Sequence, residues 1–245
     1  MLDTGARRAL AATRFADVTW LGEVTSTNDE VAVRARAGAP EGVVVVADAQ
    51  SRGRGRRGRT WAAPPGSSLL VSVLLRPVAP HLGLVAAGLA AVDACRAAAG
   101  VDVRLKWPND VVLDGPGDES GAKVAGILAE GGANGVVVVG LGLNVDWGGM
   151  PLPPGGASLA EVAEVDVDRA ALLVAYLVAL EGRCRQDPGS LMAAYRAACS
   201  TIGHHVRVEL PGGASLEGRA TGVADDGRLL VDGSPVAAGD VVHLR

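Results

Sequence analysis

The alternation of apolar and polar stretches along the chain predicts a series of β-strands. Strands are predicted at 18–24 and 68–76, and runs of aliphatic residues at 43–47 and 136–145 are typical of strands that are buried in a sheet. Shorter runs predict strands at 103–107, 111–114 and 123–130. Residues 115–118 (GPGD) have turn chemistry, so the strands on either side of them are predicted to form an antiparallel hairpin.

Helical patterns alternate with these strands. Thr27 and Glu30 have the spacing of a capping box, which predicts that a helix begins with Thr27 as its cap and ends near Gly38. The other helices are predicted at 81–99, 168–185 and 188–200.

The pattern changes near residue 200. From His205 onward, short apolar runs are separated by turn sequences such as 225–227 (DDG), which is typical of a small all-β unit. We therefore predict two domains, an α+β domain over residues 1–200 and a small β domain over residues 201–245.

Composition limits the class of protein. The chain of 245 residues has a hydrophobic fraction of 49% and a net charge of −4, which indicates a folded protein that does not coat nucleic acid or anionic membrane. Its three cysteines lack CxxC spacing, which fits a reducing cytoplasm. The N-terminus has no signal-peptide core, and the most apolar stretch, 82–99, contains Asp93 and Arg96. We predict a soluble, cytoplasmic protein.

Lysine is rare in this chain. The 23 basic residues include only two lysines, Lys106 and Lys123. So strong a bias suggests that a retained lysine is needed as a compact ammonium on a flexible stem, although chance survival at the surface is the alternative. Lys106 begins KWPND, where a proline ends a strand and leaves a cation, an amide and a carboxylate together. Lys123 begins KVAGILAE, a strand pattern in which alternate residues share a face.

Residues 52–59 (RGRGRRGR) form the strongest local signal, within a stretch (50–66) that is too rich in Gly, Arg and Pro for regular structure. Glycines let the backbone approach a ligand, and arginines supply forked donors for phosphate or carboxylate. An RNA-binding arm uses the same residues, and a solvated run of charge is a third interpretation. A single loop between two strand patterns favours an anion-binding loop.

Four blocks, taken in order, resemble the biotin protein ligases. They are Ser26-Thr27-Asn28, Gln50 with GRGRRGRTW (53–61), KWPND (106–110) with KVAGILAE (123–130), and GLGLNV (140–145). The Arg/Gly block followed by KWPND is highly specific for that family. The resemblance implies an α+β catalytic domain, with a mixed and largely antiparallel sheet and helices, followed by a small SH3-like β-barrel.

The resemblance also implies a role for each matching residue. Lys123 and Arg56 would be catalytic, with Lys123 near the biotin carboxylate and the α-phosphate. Residues that bind biotin and its adenylate would be Ser26, Thr27, Asn28, Gln50, Gly53, Arg54, Gly55, Arg56, Lys123 and Gly126. Residues that bind nucleotide or phosphate would be Arg59, Trp61, Lys106, Asn109, Asp110 and Asn144. For Trp61, contact with substrate and simple anchoring of the loop are equally expected. A second loop, at 147–156, would order over the adenylate.

The activity that the resemblance implies is ATP-dependent. Biotin and ATP are the expected substrates: biotinyl-5'-AMP forms first, and its biotinyl group then passes to a lysine of a biotin carboxyl carrier domain of an acyl-CoA carboxylase. No cluster of metal ligands is visible in the sequence, so Mg²⁺ is expected to arrive with ATP, near Asn109 and Asp110.

Two rival functions remain. Lipoate or octanoate ligases and transferases share the fold but carry a different Gly/Arg motif. A nucleic-acid-binding regulator is the rival of another class, since some biotin ligases carry an N-terminal helix-turn-helix. Here the Ser26 block begins too early to leave room for one. We therefore expect a monofunctional enzyme, a monomer or weak homodimer, without nucleic-acid or membrane partners.

Overall fold

A mixed sheet forms the centre of the larger part of the molecule. The computed structural model describes residues 2–76, 78–115, 118–163 and 165–244. Within them the strands of this sheet are β1 (Val18–Val24), β2 (Val44–Gln50), β3 (Ser68–Leu75), β4 (Arg104–Lys106), β5 (Asp110–Gly115), β6 (Asp118–Gly131) and β7 (Val137–Asn144).

The order of the strands is β1-β2-β3-β7-β6-β5-β4. β1 and β2 are parallel, and every other neighbouring pair is antiparallel, which confirms the expected mixed, largely antiparallel sheet. β5 and β6 form the predicted hairpin, although Pro116 and Gly117 of its turn lie outside the described residues.

Helices cover both faces of the sheet. They are α1 (Thr4–Leu10), α2 (Thr27–Arg36), α3 (Pro80–Ala99), α4 (Arg169–Cys184) and α5 (Pro188–Ala198). α3 packs on one face with α4 and α5 behind it, and its small residues allow close contact: a Cβ on Gly88 would lie 3.1 Å from Leu105. Among the described residues α3 is long and apolar enough to cross a membrane, but its apolar surface is the part that packs into this core.

α2 packs on the opposite face. Val31 of this helix contacts Val45, Leu74 and Val138, whereas Val44 and Val46 of β2 point to the α3 side. β2 is therefore covered on both faces, as its continuous β-branched run predicts.

Two local features differ from the sequence prediction. The cap of α2 is Ser26, not Thr27, and it makes no side-chain capping bond. Instead the Thr27 N–H donates to Gln50 Oε1 at 2.7 Å, so the capping box with Glu30 was wrong because a neighbouring strand satisfies this helix end. α1 was not predicted at all; Asp3 caps it by accepting from the Ala6 N–H at 2.7 Å, and Leu10 is buried.

The C-terminal strands form a second, smaller sheet. They are β8 (His205–Glu209), β9 (Ser215–Val223), β10 (Leu229–Val231), β11 (Ser234–Val236) and β12 (Asp240–His243), in the order β11-β10-β9-β8-β12. All neighbouring pairs are antiparallel, which fits the expected SH3-like fold. The sheet docks beside KWPND, where Trp107 Nε1 donates to the Gly227 carbonyl at 2.9 Å. The division of the chain at residue 200 remains a prediction.

Candidate active site

A pocket lies on the α2 face of the large sheet, where glycines replace bulky side chains. Gly126 of β6 pairs with Gly142 of β7, and Leu128 pairs with Gly140, so these alternate residues share one face. That face is the one that α2 covers further along, at Val138. The glycines therefore form a floor without side chains, on which Trp61 lies over Gly126 and Gly142 and Asn28 lies over Gly140, beside a cavity of about 220 Å³.

The block Ser26-Thr27-Asn28 and Gln50 are tied together at one end of this pocket. Gln50 Oε1 accepts from the Thr27 N–H at 2.7 Å and from the Thr27 hydroxyl at 3.1 Å. Beneath them, the Ser72 hydroxyl lies 2.7 Å from Thr27 Oγ1 and 2.6 Å from Asn28 Oδ1. Ser26, Thr27, Asn28 and Ser72 are all buried. The network fixes polar groups in place before any ligand arrives, which suits recognition by hydrogen bonds.

The Arg/Gly loop crosses the open side of the pocket, and protein carboxylates meet its charges. Arg54 makes two bonds of 2.9 Å to Glu130 and a third of 2.8 Å to Asp29. Glu130 also accepts from Asn28 Nδ2 at 2.6 Å, so a continuous chain of hydrogen bonds joins the loop to the block Ser26-Thr27-Asn28. At the other end of the loop, Arg59 pairs with Asp240.

Lys123 lies at the centre of the pocket. Its Nζ is 2.7 Å from Asp110 Oδ1 and 5.5 Å from the centroid of the Trp61 ring. Trp61 rests on the glycine floor, where a Cβ on Gly126 would lie 3.0 Å from the ring and one on Gly142 only 2.6 Å. The Trp61 indole N–H is buried and has no acceptor among the described residues. Trp61 is thus part of the pocket, and both of its expected roles, contact with substrate and anchoring of the loop, remain predictions.

The KWPND segment forms the wall opposite the block Ser26-Thr27-Asn28. Asn109 Nδ2 donates to the Ile127 carbonyl at 3.0 Å, which fixes the segment to β6. Arg56 reaches across from the loop and donates to Asn109 Oδ1 at 3.2 Å. Burial lowers the pKa of Arg56, whereas the charges of Asp240 and Asp110 act in the opposite direction. Lys106 also lines this wall.

Most of the residues expected at the site from the sequence line one pocket. They are Ser26, Thr27, Asn28, Gln50, Arg54, Gly55, Arg56, Arg59, Trp61, Lys106, Asn109, Asp110, Lys123 and Gly126.

The structure does not bring Gly53 or Asn144 into the lining. Gly53 is buried behind the pocket, where a Cβ would lie 2.2 Å from the Trp61 carbonyl, so the backbone crossing there requires glycine. Asn144 is buried, and its Nδ2 donates to the Ala157 carbonyl at 3.0 Å. It ties the end of β7 to the chain that follows the 147–156 loop, and contact with adenine remains a prediction.

Sequence reasoning missed other lining residues. Gly140 and Gly142 lie within GLGLNV (140–145). They are two residues apart on a strand and so share one face, and this is the signal that could have identified them. Asp240 and Val241 come from the C-terminal sheet and carry no motif.

The pocket as a whole is cationic. Arg54, Arg56, Arg59, Lys106 and Lys123 line it, against two carboxylates, Asp110 and Asp240. Among the described residues no group of three or more His, Cys, Asp and Glu side chains could hold a metal ion by itself. This arrangement suits a ligand with several negative charges.

Comparisons with known proteins agree with this geometry. A family model described as "Biotin/lipoate A/B protein ligase family" matches residues 21–146, and one described as "Biotin protein ligase C terminal domain" matches residues 201–244. The biotin--[acetyl-CoA-carboxylase] ligase of Mycobacterium tuberculosis is 41% identical over 241 residues, which cover 92% of this chain and 88% of that protein. The bifunctional ligase/repressor BirA of Bacillus spizizenii is 32% identical, over 85% of this chain and 67% of that protein.

A solved structure is similar over nearly the whole chain. The biotin protein ligase from Aquifex aeolicus, in complex with biotin and ATP, has a TM-score of 0.77 and 27% sequence identity, and the match covers 94% of this chain and 100% of that one. The mixed sheet, its cationic pocket and the small β domain beside it thus have the arrangement of an α+β ligase similar to that structure. The chain belongs to the biotin/lipoate A/B protein ligase family, and within it to the biotin protein ligases.

Proposed function

We infer that this chain is an ATP-dependent ligase that forms biotinyl-5'-AMP from biotin and ATP and transfers the biotinyl group to a lysine of a biotin carboxyl carrier domain. The observation that carries the inference is one pocket with two different ends. A polar network, the buried Thr27 and Asn28 with the half-buried Gln50, lies at one end, and the cations Lys123 and Arg56 lie at the other. A ligand with a polar ring and a distant carboxylate fits that division.

The chemistry requires these charges. A carboxylate is a poor electrophile, so its oxygen attacks the α-phosphorus of ATP, pyrophosphate leaves, and a mixed anhydride results. Two anions approach each other in that step, and fixed cations offset their repulsion. Lys123 is held on β6 within 2.7 Å of Asp110, so an incoming carboxylate replaces one anionic partner of the ammonium by another.

The Arg/Gly loop protects the product. An acyl-adenylate hydrolyses in open water, and a loop that covers it excludes solvent until the carrier lysine arrives. Arg54 connects this loop, through Glu130 and Asn28, to the end of the pocket that we assign to biotin. In the second step the uncharged carrier amine attacks the acyl carbon, the bond to the phosphate oxygen breaks, and AMP leaves.

The residues present fit a magnesium ion that is bound together with phosphates. Asn109 and Asp110 carry amide and carboxylate oxygens, the ligands that Mg²⁺ prefers, and they are too few to hold it without phosphate oxygens. Asn109 Oδ1 accepts from Arg56 and Asp110 Oδ1 pairs with Lys123 in this structure, so Mg²⁺ would bind there once phosphate draws those two cations away. When bound, Mg²⁺ neutralises part of the phosphate charge. Lys106 lies on the same wall and would contribute a further cation to the phosphates.

Location and association are proposals of the same kind. We propose a cytoplasmic monomer or weak homodimer without nucleic-acid or membrane partners, which the net charge of −4 supports. Sedimentation with and without biotin plus ATP tests the state of association.

The overall reaction is tested with the acceptor itself. The chain is incubated with biotin, ATP, Mg²⁺ and a biotin carboxyl carrier domain, and the acceptor is examined by intact mass and peptide mapping. We expect one biotinyl group, on one lysine. Omission of ATP should abolish the product. A carrier that stays unmodified while a known biotin ligase modifies it would overturn the proposal.

A further inference from the structure

The carboxylate of Asp240 lies between two arginines of the Arg/Gly loop, although it belongs to the C-terminal sheet. Asp240 Oδ2 accepts from Arg57 Nη1 at 2.8 Å, and the same oxygen pairs with Arg59 Nη2. Arg57 Nη1 also lies 3.4 Å from the Glu209 carbonyl, on the strand next to β12. Asp240, Val241 and Arg59 all line the active-site pocket, so this contact is one of its walls.

We propose that Asp240 is a positioning residue of the active site, which holds the Arg/Gly loop over the pocket through Arg57 and Arg59 and gives up Arg59 to the phosphates when nucleotide binds. The nucleotide part rests on the function proposed above. The C-terminal sheet is then the rigid surface to which the closed loop is attached.

The backbone of Asp240 is held firmly enough to anchor the loop. It begins β12 and pairs in register with Glu209 of β8. Gly239, just before it, packs so closely that a Cβ there would lie 2.4 Å from Val208 Cγ1. The side chain of Asp240 is 24% exposed, whereas that of Arg59 is 62% exposed. The carboxylate is thus the better fixed partner, and Arg59 is the partner that is free to move.

The loop is held at both ends. Arg54 is paired with Glu130 and Asp29 of the large domain, and Arg57 and Arg59 are paired with Asp240. Between these anchors, Arg57 has a φ of 55°, a left-handed conformation that residues other than glycine adopt rarely and keep only where contacts hold them. Its bond to Asp240 is such a contact.

One carboxylate that serves two guanidinium groups leaves several N–H donors of both arginines unused. Phosphate oxygens accept bidentate bonds from arginine, so a nucleotide in the pocket competes well for the more exposed Arg59. Arg57 stays on Asp240 in that exchange, so the loop remains closed while one of its cations reaches the ligand.

The test uses the full chain and two readouts. Asp240→Asn keeps the shape of the side chain and removes its charge. In biotin-dependent exchange of pyrophosphate into ATP we expect the KM for ATP to rise about five- to tenfold, with kcat nearly unchanged, because exposed ion pairs have modest strength. Trypsin should also cut the loop after its arginines faster than in the unsubstituted protein.

Controls separate positioning from general destabilisation. Asp225→Asn removes an aspartate of the same β domain that pairs with Arg196 rather than with the loop, and both readouts should stay unchanged. Asp240→Glu should restore part of the ATP affinity. In a double-mutant cycle, Asp240→Asn should add little to Arg57→Gln, which lies on the exposed loop and leaves the β domain intact.

The outcomes are distinct. If Asp240→Asn matches Asp225→Asn in both cleavage rate and KM, the proposal is wrong. It is also wrong if the effects of Asp240→Asn and Arg57→Gln simply add. If the unsubstituted protein shows no biotin-dependent exchange, the proposed function fails, while the cleavage comparison still tests the contact between Asp240 and the loop.

Discussion

The ammonium of Lys123 and the carboxylate of Asp110 form an ion pair of 2.7 Å at the centre of the pocket. Asp110 pairs with Gly126 and Lys123 with Val112 along adjacent antiparallel strands, with a register shift between the two pairs. The carboxylate balances the charge of the ammonium in the pocket before any substrate binds.

Replacement of Lys123 should impair chemistry far more than folding. Lys123→Gln removes the ammonium that we propose stabilises the negative charge shared between the attacking carboxylate and the α-phosphate, and such a loss costs on the order of 3 kcal/mol, or about a hundredfold in rate. Lys123→Arg should not restore the rate, because a planar fork cannot occupy the position of a point charge between Asp110 and the Trp61 ring. Adenylation rates and thermal unfolding of both variants test this. A normal rate in Lys123→Arg would mean that the lysine survived by chance.

The glycine floor should be intolerant of a single methyl group. A Cβ on Gly142 would lie 2.6 Å from Trp61 Cε2, so Gly142→Ala displaces the indole from the pocket. We expect the KM for ATP to rise about tenfold or more, because the Trp61 indole would no longer help to position the substrate. Gly22→Ala is the matched control, since nothing lies within 4 Å of its Cβ position on β1. Steady-state kinetics and tryptophan fluorescence measure the effect, and equal behaviour of the two variants would refute it.

The Arg/Gly loop should be open to exchange without ligand and protected with it. Few backbone hydrogen bonds join its described residues to one another: Gly55 N–H donates to the Arg59 carbonyl at 2.7 Å and Arg59 N–H to the Arg56 carbonyl at 3.1 Å. Its arginines are partly exposed in their ion pairs. Hydrogen exchange over residues 52–59 should slow when biotin and ATP are added, while β8 stays unchanged. Identical exchange in the free and loaded protein would exclude a lid.

Glu181 should stabilise the fold in a pH-dependent way. Burial alone would raise the pKa of Glu181, but bonds from the Arg14 N–H, the Arg14 guanidinium and Arg185 outweigh it and lower this pKa. A depressed pKa in the folded state contributes stability above the ordinary value of 4.5, and that contribution is lost as pH falls through the folded pKa.

Glu181→Gln should therefore lower the free energy of unfolding by about 2 kcal/mol at pH 7. The difference from the unsubstituted protein should shrink below pH 4.5. Urea unfolding at both pH values measures it, with Asp102→Asn, in an exposed ion pair with Arg96, as the control. A difference that does not depend on pH would contradict the assignment.

The central strands could be predicted because they are buried on both faces: Ser68–Leu75 and Val137–Asn144 lie within one residue of their expected ends. The strand expected at 18–24 coincides with β1, which lies at the edge of the sheet and is only partly buried. α1 could not be recognised by its length, since seven residues carry little periodicity. The burial of Leu10 and Phe15, which holds it, depends on tertiary packing.

The site divides in the same way. Lys123 and Gly126 lie on β6 and Asp110 lies on the paired strand β5, so the KWPND and KVAGILAE motifs meet through the hairpin that the sequence predicts. Asp240 lies more than a hundred positions further along the chain and reaches the pocket only because the C-terminal sheet docks beside Trp107. The sequence around Asp240 does not show where the C-terminal sheet packs. The carboxylate of Asp240, which pairs with the arginines of the loop, therefore could not be predicted.

The central claim is tested most directly by pyrophosphate exchange into ATP with biotin, lipoate or octanoate as the only carboxylic acid. A site whose buried polar groups are built to pair with a substrate rejects analogues that lack those groups by large factors. We propose that Thr27 and Asn28, which are buried, and Gln50, which accepts from Thr27, are such groups, so biotin should support exchange that depends on its concentration, and lipoate and octanoate should support almost none. Exchange with octanoate or lipoate as fast as with biotin would contradict the account.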